Sequence, residues 1–334
     1  MVGYLKPLFA ISIPLTDPKQ FGDLSEVVSE IGDQMLTKSR KLPQGLAIAS
    51  QSVEFWRRLA PDLTISDRLT QNLIVRPQKQ EASDRIRLIN EGYLHIRQPG
   101  FDAPLDRIQD AMARIVDAGM PAAFVGVYDE VWSIAAQMQA LIGGLLGAEC
   151  ALNPDFWAGY ADQGDNGQTA RRKRPGSSLN RDRSPNSLSV WVPVTDATPD
   201  NGCPYLVPAN QDRNYAKPDP ERADSRLQSI KAIPAGAGDM IVTSGETYHW
   251  RGRTSRYNTD GPLMSLSWEF QSKALAPFDG HLVDSYPLVP FETRLGLLAR
   301  QMPRNKTAMS NNPVWRAVQQ TLANRFPVGQ QPQP

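Results

Sequence analysis

Apolar positions recur at helical spacing through the first half of the chain. Phe21, Leu24, Val27, Val28, Ile31 and Leu36 fall near a 3.6-residue period and predict a helix within an N-terminal extension. Val53, Phe55, Trp56 and Leu59 predict a short helix that ends before Pro61, whose ring breaks the backbone ladder. From Ala82 the pattern reads as a helix running into a strand, Tyr93 to Arg97, closed by a Pro-Gly turn. Leu105, Ile108, Met112, Ile115 and Val116 predict the next helix, and Val131 to Leu146 another that stops at Gly147. Two such helices are expected to pack on a sheet.

After Gly147 the texture changes to short runs of alternating or β-branched residues. Strands are predicted at Asp155–Ala161, Ser187–Pro193, Pro204–Pro208, Ser229–Ile233, Asp239–Ser244, Tyr248–Gly252 and Leu263–Phe270, separated by NG, PAN and AGAGD turns. Short strands punctuated in this way indicate an antiparallel sandwich or barrel rather than a parallel sheet. Leu295, Leu297 and Leu298, then Trp315, Val318 and Leu322, predict tail helices before a polar VGQQPQP end. The expected fold class is mainly β with packed helices (α+β). The expected organisation is a helical extension over 1–80, a β core over 81–275 and a helical C-terminal extension over 276–334.

Composition narrows the partners. With 334 residues, 40% hydrophobic and 21% charged, the chain can bury a full core. A formal net charge of +1 supplies no global field for nucleic acid, so no nucleic-acid partner is expected. No run approaches the roughly 18 apolar residues of a membrane span, and Pro7 and Pro14 interrupt the only apolar stretch near the start. Cys150 and Cys203 are too few and too distant for a disulfide framework, so a reducing cytoplasm is the expected home. The helical extensions offer surfaces through which a homodimer can form.

The segment SLSVWVPVTDATPDNGCPYLVPANQDRNY, Ser187 to Tyr215, resembles the signature of phytanoyl-CoA dioxygenase-like proteins. Supporting matches are EGYLHI, YDEVW and NRDR upstream, and AGDMIV and YHW downstream. The resemblance implies a double-stranded β-helix (jelly-roll, cupin-like) core. It also implies the chemistry of non-haem Fe(II)/2-oxoglutarate oxygenases, in which two imidazoles and a carboxylate hold iron on one face and leave positions open for 2-oxoglutarate and oxygen. Matched position by position, Asp182 stands for the carboxylate and His249 for the distal histidine. These two are the metal ligands if metal is bound.

This chain departs from the pattern at both functional positions. Asn180 stands where the first histidine belongs, and the chain contains only His95, His249 and His281. Leu263 stands where relatives place the arginine that clamps the far carboxylate of 2-oxoglutarate. Arg251, two residues after His249, is expected to point into the same pocket. There it either supplies the missing charge or fills the cosubstrate space. Arg253 adds positive charge at the rim, and Trp191 is expected to line the core or the cofactor side of the pocket. Gly202 is expected at positive φ within the Asn201–Cys203 turn, and Ala170–Ser178 as a loop over the pocket mouth.

Three readings follow. The first is a metal-free enzyme that uses Asp182 and His249 as acid–base groups, with Arg251 and Asn180 in the pocket, to cyclise, isomerise or eliminate on a small and anionic molecule. The second is an atypical Fe(II)/2-oxoglutarate oxygenase. The third is a non-catalytic binding relative.

Overall fold

The computed structural model describes residues 49–66, 72–168, 173, 177–216, 227–285, 288–302 and 313–325. The predicted helix at Phe21–Leu36, most of the loop Ala170–Ser178 and the VGQQPQP end lie outside them.

The described helices are α1 (Val53–Leu59), α2 (Gln78–Glu91), α3 (Leu105–Asp117), α4 (Asp129–Leu146), α5 (Phe291–Gln301) and α6 (Pro313–Arg325). The strands are β1 (Tyr93–Ile96), β2 (Cys150–Leu152), β3 (Trp157–Ala161), β4 (Ser187–Pro193), β5 (Pro204–Val207), β6 (Lys231–Ala232), β7 (Met240–Ser244), β8 (Tyr248–Arg251) and β9 (Leu263–Ser272). Strand β2 was not expected from sequence, because three residues directly after a helix give no period to read.

The strands form two antiparallel sheets. The larger has the order β1-β7-β4-β9-β2, with β3 pairing the opposite half of β9 from β2; the smaller has the order β6-β5-β8. All of the predicted strands map onto these, with ends shifted by at most two residues and Ser187–Pro193 unchanged.

The two faces of the large sheet differ because side chains alternate along a strand. On one face lie Leu94, Leu188, Val190, Val192, Met240, Val242, Leu266 and Phe270, which form one continuous core with the apolar sides of the helices. Helix α4 crosses this face and is buried along nearly its whole length. The other face turns Ile241 and Leu263 toward Leu206 of β5 in a second, smaller core between the sheets. This is the double-stranded β-helix arrangement, two facing antiparallel sheets with the ligand space between them.

The helical layer is tied down by one buried ion pair. Arg294 of α5 donates to Asp129 Oδ1 at the start of α4 at 2.6 Å, both side chains fully buried. The other carboxylate oxygen of Asp129 accepts from the Ser66 amide at 2.6 Å, joining a third segment to the same group.

Candidate functional site

Between the sheets lies a cavity of about 150 Å³ lined from both sides. His249 and Arg251 enter it from β8. The register explains why: Leu206 of β5 opposes His249 and Pro204 opposes Arg251, so these residues share the face that Leu206 buries in the inter-sheet core. Tyr205 and Trp250 stack at 5.8 Å beside it and stiffen the small sheet.

His249 is oriented by its own strand. Its Nδ1 lies 2.8 Å from the Thr247 carbonyl oxygen. A carbonyl only accepts, so Nδ1 is the donor in this contact and Nε2 is the ring nitrogen turned away from Thr247. Arg251 donates to Asp165 and, at 3.2 Å, to the Gly252 carbonyl. Lys173 brings a second cation to the lining; its ammonium is 2.9 Å from Asp155 and 3.7 Å from the fully buried Glu269. Both cations therefore already face carboxylates, and an anion entering the cavity competes with them.

The wall formed by the large sheet is polar along its inner face. Strand β9 alternates Met264, Leu266, Trp268 and Phe270 with Ser265, Ser267, Glu269 and Gln271. Strand β4 adds Ser189 and Trp191, and β3 adds Trp157 and Gly159. Reading these strands for their apolar members alone missed the wall, although the period-two serines of LMSLSWEFQS carried the signal. Lys173 was missed as an individual residue inside a run of cations.

The residues singled out from the sequence divide. His249, Arg251 and Trp191 line the cavity, and so does Leu263, which is buried in the inter-sheet core. Asn180 and Asp182 do not line it. They occupy an exposed turn closed by the bridge between Leu179 and Pro185. There Asn180 Nδ2 donates to Ser184 Oγ at 3.0 Å, and Asp182 Oδ1 accepts from the Ser184 hydroxyl at 2.6 Å and its amide at 3.0 Å. These hydrogen bonds from Ser184 hold the Asp182 carboxyl below its usual range. In this geometry Asn180 donates to the local turn and Asp182 accepts from it, as short polar side chains commonly do. Arg253 is likewise exposed and outside the lining. Gly202 does adopt a positive φ, of 90°, and the Asn201 side chain caps the turn through the Thr198 amide and the Asp196 carbonyl.

An octahedral iron held on one face needs three converging ligands. Among the described residues no group of three His, Cys, Asp or Glu side chains is placed to hold a metal ion. Leu263 adds a hydrocarbon surface to the lining, and the cations there, Arg251 and Lys173, already face carboxylates. The described residues of this cavity therefore do not supply a three-ligand site for iron.

Two facing antiparallel sheets with an inter-sheet pocket place the chain in the double-stranded β-helix class. Residues 133–255, from within α4 to just past β8, match the family model of phytanoyl-CoA dioxygenase (PhyH), and over that segment the chain is phytanoyl-CoA dioxygenase-like. No curated protein matches the sequence. Similar solved structures include the non-haem α-ketoglutarate-dependent epimerase SnoN from nogalamycin biosynthesis, at 20% identity and TM-score 0.47, covering 59% of this chain and 82% of that one. They also include the carbocyclase SnoK from the same biosynthesis, at 15% identity and TM-score 0.44, covering 65% and 98%. AviO1 from Streptomyces viridochromogenes Tue57 is 14% identical with TM-score 0.45, covering 63% and 99%.

Proposed function

We propose that this chain is a small-molecule-tailoring enzyme that uses a PhyH-like scaffold for proton transfer rather than for iron-dependent oxidation. The observation that carries this reading is the contact of His249 Nδ1 with the Thr247 carbonyl, which orients the ring in a cavity that Arg251 also lines. With Nδ1 donating to Thr247, Nε2 accepts a proton from bound substrate and returns it elsewhere on the molecule. Arg251, on the same face of β8, stabilises negative charge that develops on a substrate oxygen as the proton leaves. Asp165 holds the guanidinium in place meanwhile. Cyclisation, isomerisation and elimination all have this form, and none needs an external oxidant. Asp182 has no part in it.

The family match supports a second reading, an Fe(II)/2-oxoglutarate oxygenase with an atypical site. The two separate on one experiment. Candidate compounds are incubated with the protein under argon in D₂O with a strong chelator and followed by NMR and mass spectrometry. The proton-transfer reading expects deuterium incorporation or an isomeric or dehydrated product, slowed on the order of 10²- to 10⁴-fold by His249→Ala. Conversion that requires air and iron and adds an oxygen atom, with no anaerobic exchange, establishes the oxygenase instead.

A further inference from the structure

The inner wall of the large sheet has a shape that points to a substrate class. Trp191 of β4, Ser267 of β9 and Trp157 of β3 stand opposite one another in a single row across three adjacent strands. Neighbouring strands lie about 4.8 Å apart, so the two indoles are rooted about 10 Å from each other with only a serine between them. One ring fits such a gap with van der Waals separations of about 3.5–4 Å on each side. In the next row along β3 the inward position is Gly159, where a Cβ would come 3.0 Å from Ser265 Oγ. A glycine in a strand interior marks a place kept open for close approach. Here the group that approaches is the Ser265 hydroxyl, so the slot between the tryptophans is floored by Ser267 and bounded along β9 by Ser265.

Polar groups sit at the other end of the slot. Ser189, one row along from Trp191 on the same face of β4, lies opposite Thr243 on one side and Glu269 on the other. Its hydroxyl is buried and has no hydrogen-bond partner among the described residues, and the same holds for Ser187 two positions earlier. Buried hydroxyls rarely go unpaired in folded proteins, because water is given up without compensation. A ligand oxygen supplies the partner that the protein does not.

We propose that the slot between Trp157 and Trp191 binds an oxygenated ring, its face over Ser267 and a ring oxygen substituent hydrogen-bonded to Ser189. The inference rests on the reading of this cavity as the substrate site. It adds the class of molecule: a ring with an apolar face and oxygen atoms at its edge, either phenolic or a sugar.

Calorimetric titration of the whole protein with 2-naphthol, methyl β-glucoside and 1-hexanol tests it without requiring turnover. Saturable binding of at least one ring compound is expected, with none of hexanol, which carries a hydroxyl but no ring. Naphthol alone identifies the phenolic source and the glucoside alone the sugar source. Ser267→Val, which fills the floor of the slot, should weaken ring binding at least tenfold, and Gly159→Ala should do the same should the first variant not fold. Ser189→Ala should weaken it by about threefold to tenfold, the effect of one lost hydrogen bond. Binding of neither ring, or ring binding that survives a folded Ser267→Val, overturns the proposal. Ring binding with no proton exchange in any ring compound overturns the proton-transfer reading and leaves the slot standing.

Discussion

At the scale of single residues, the match to a family motif and the orientation of a side chain are separate matters. The resemblance assigns Asn180 and Asp182 to ligand positions, and in the fold each makes a hydrogen bond with Ser184 in an exposed turn. His249 and Arg251 were legible because they sit on a strand, where spacing of two fixes a common face. The turn has no such period, so its side chains were beyond the reach of the pattern. A different carboxylate shows what a partnered acid does for the fold. Burial alone would push Asp239 up, but hydrogen bonds from His95 at 2.8 Å and from the amides of Gln98 and Gly236 outweigh it and hold the carboxyl below its usual value. A group depressed in the folded state stabilises above its unfolded pKa of about 3.9, and that contribution is lost as pH falls through the folded value. Asp239→Asn is therefore expected to lower stability at neutral pH and to flatten its acid limb below about pH 4. Thermal melts at a series of pH values check this. Parallel curves for the two proteins would contradict it.

At the scale of elements, periodicity located nearly everything. Helices α1 and α3 and strand β4 fall where the apolar spacing placed them, since each buries one face against a continuous core. What periodicity did not reveal is how the helices are fastened. The start of α4 carries Asp129 and Glu130 in its first turn, just before the predicted helix start at Val131. In the fold they are buried, and Asp129 joins Arg294 of α5 and the Thr64–Ser66 segment. Burial pushes the Glu130 carboxyl up, even though it accepts from the Thr64 amide at 3.0 Å. Removing Arg294 strands the Asp129 charge, so Arg294→Ala should destabilise the protein by about 3–5 kcal/mol. Urea unfolding measures this directly. Arg294→Met combined with Asp129→Leu should recover much of the loss, because the charge is removed along with its partner. A double variant no more stable than the single one would show that the pair does more than neutralise itself.

At the scale of the whole molecule, two cores meet along one sheet. The face toward the helices is apolar and fixes the scaffold, while the face toward the small sheet is half polar and forms the cavity. Among the described residues no helix is long and apolar enough to cross a membrane. The scaffold was readable because a long motif and alternating strands agree on it. The chemistry was only partly readable, since it depends on which side chains converge from strands far apart in sequence, such as β8 and β9. The central claim is that this convergence gives a base and a cation without an iron site. Anaerobic titration of the metal-stripped protein with Fe(II) and then 2-oxoglutarate, followed by calorimetry and visible absorbance, tests that claim most directly. The account predicts no saturable binding of iron and no new absorbance band on adding 2-oxoglutarate. Stoichiometric iron binding, with a band that appears only when 2-oxoglutarate follows, would contradict it.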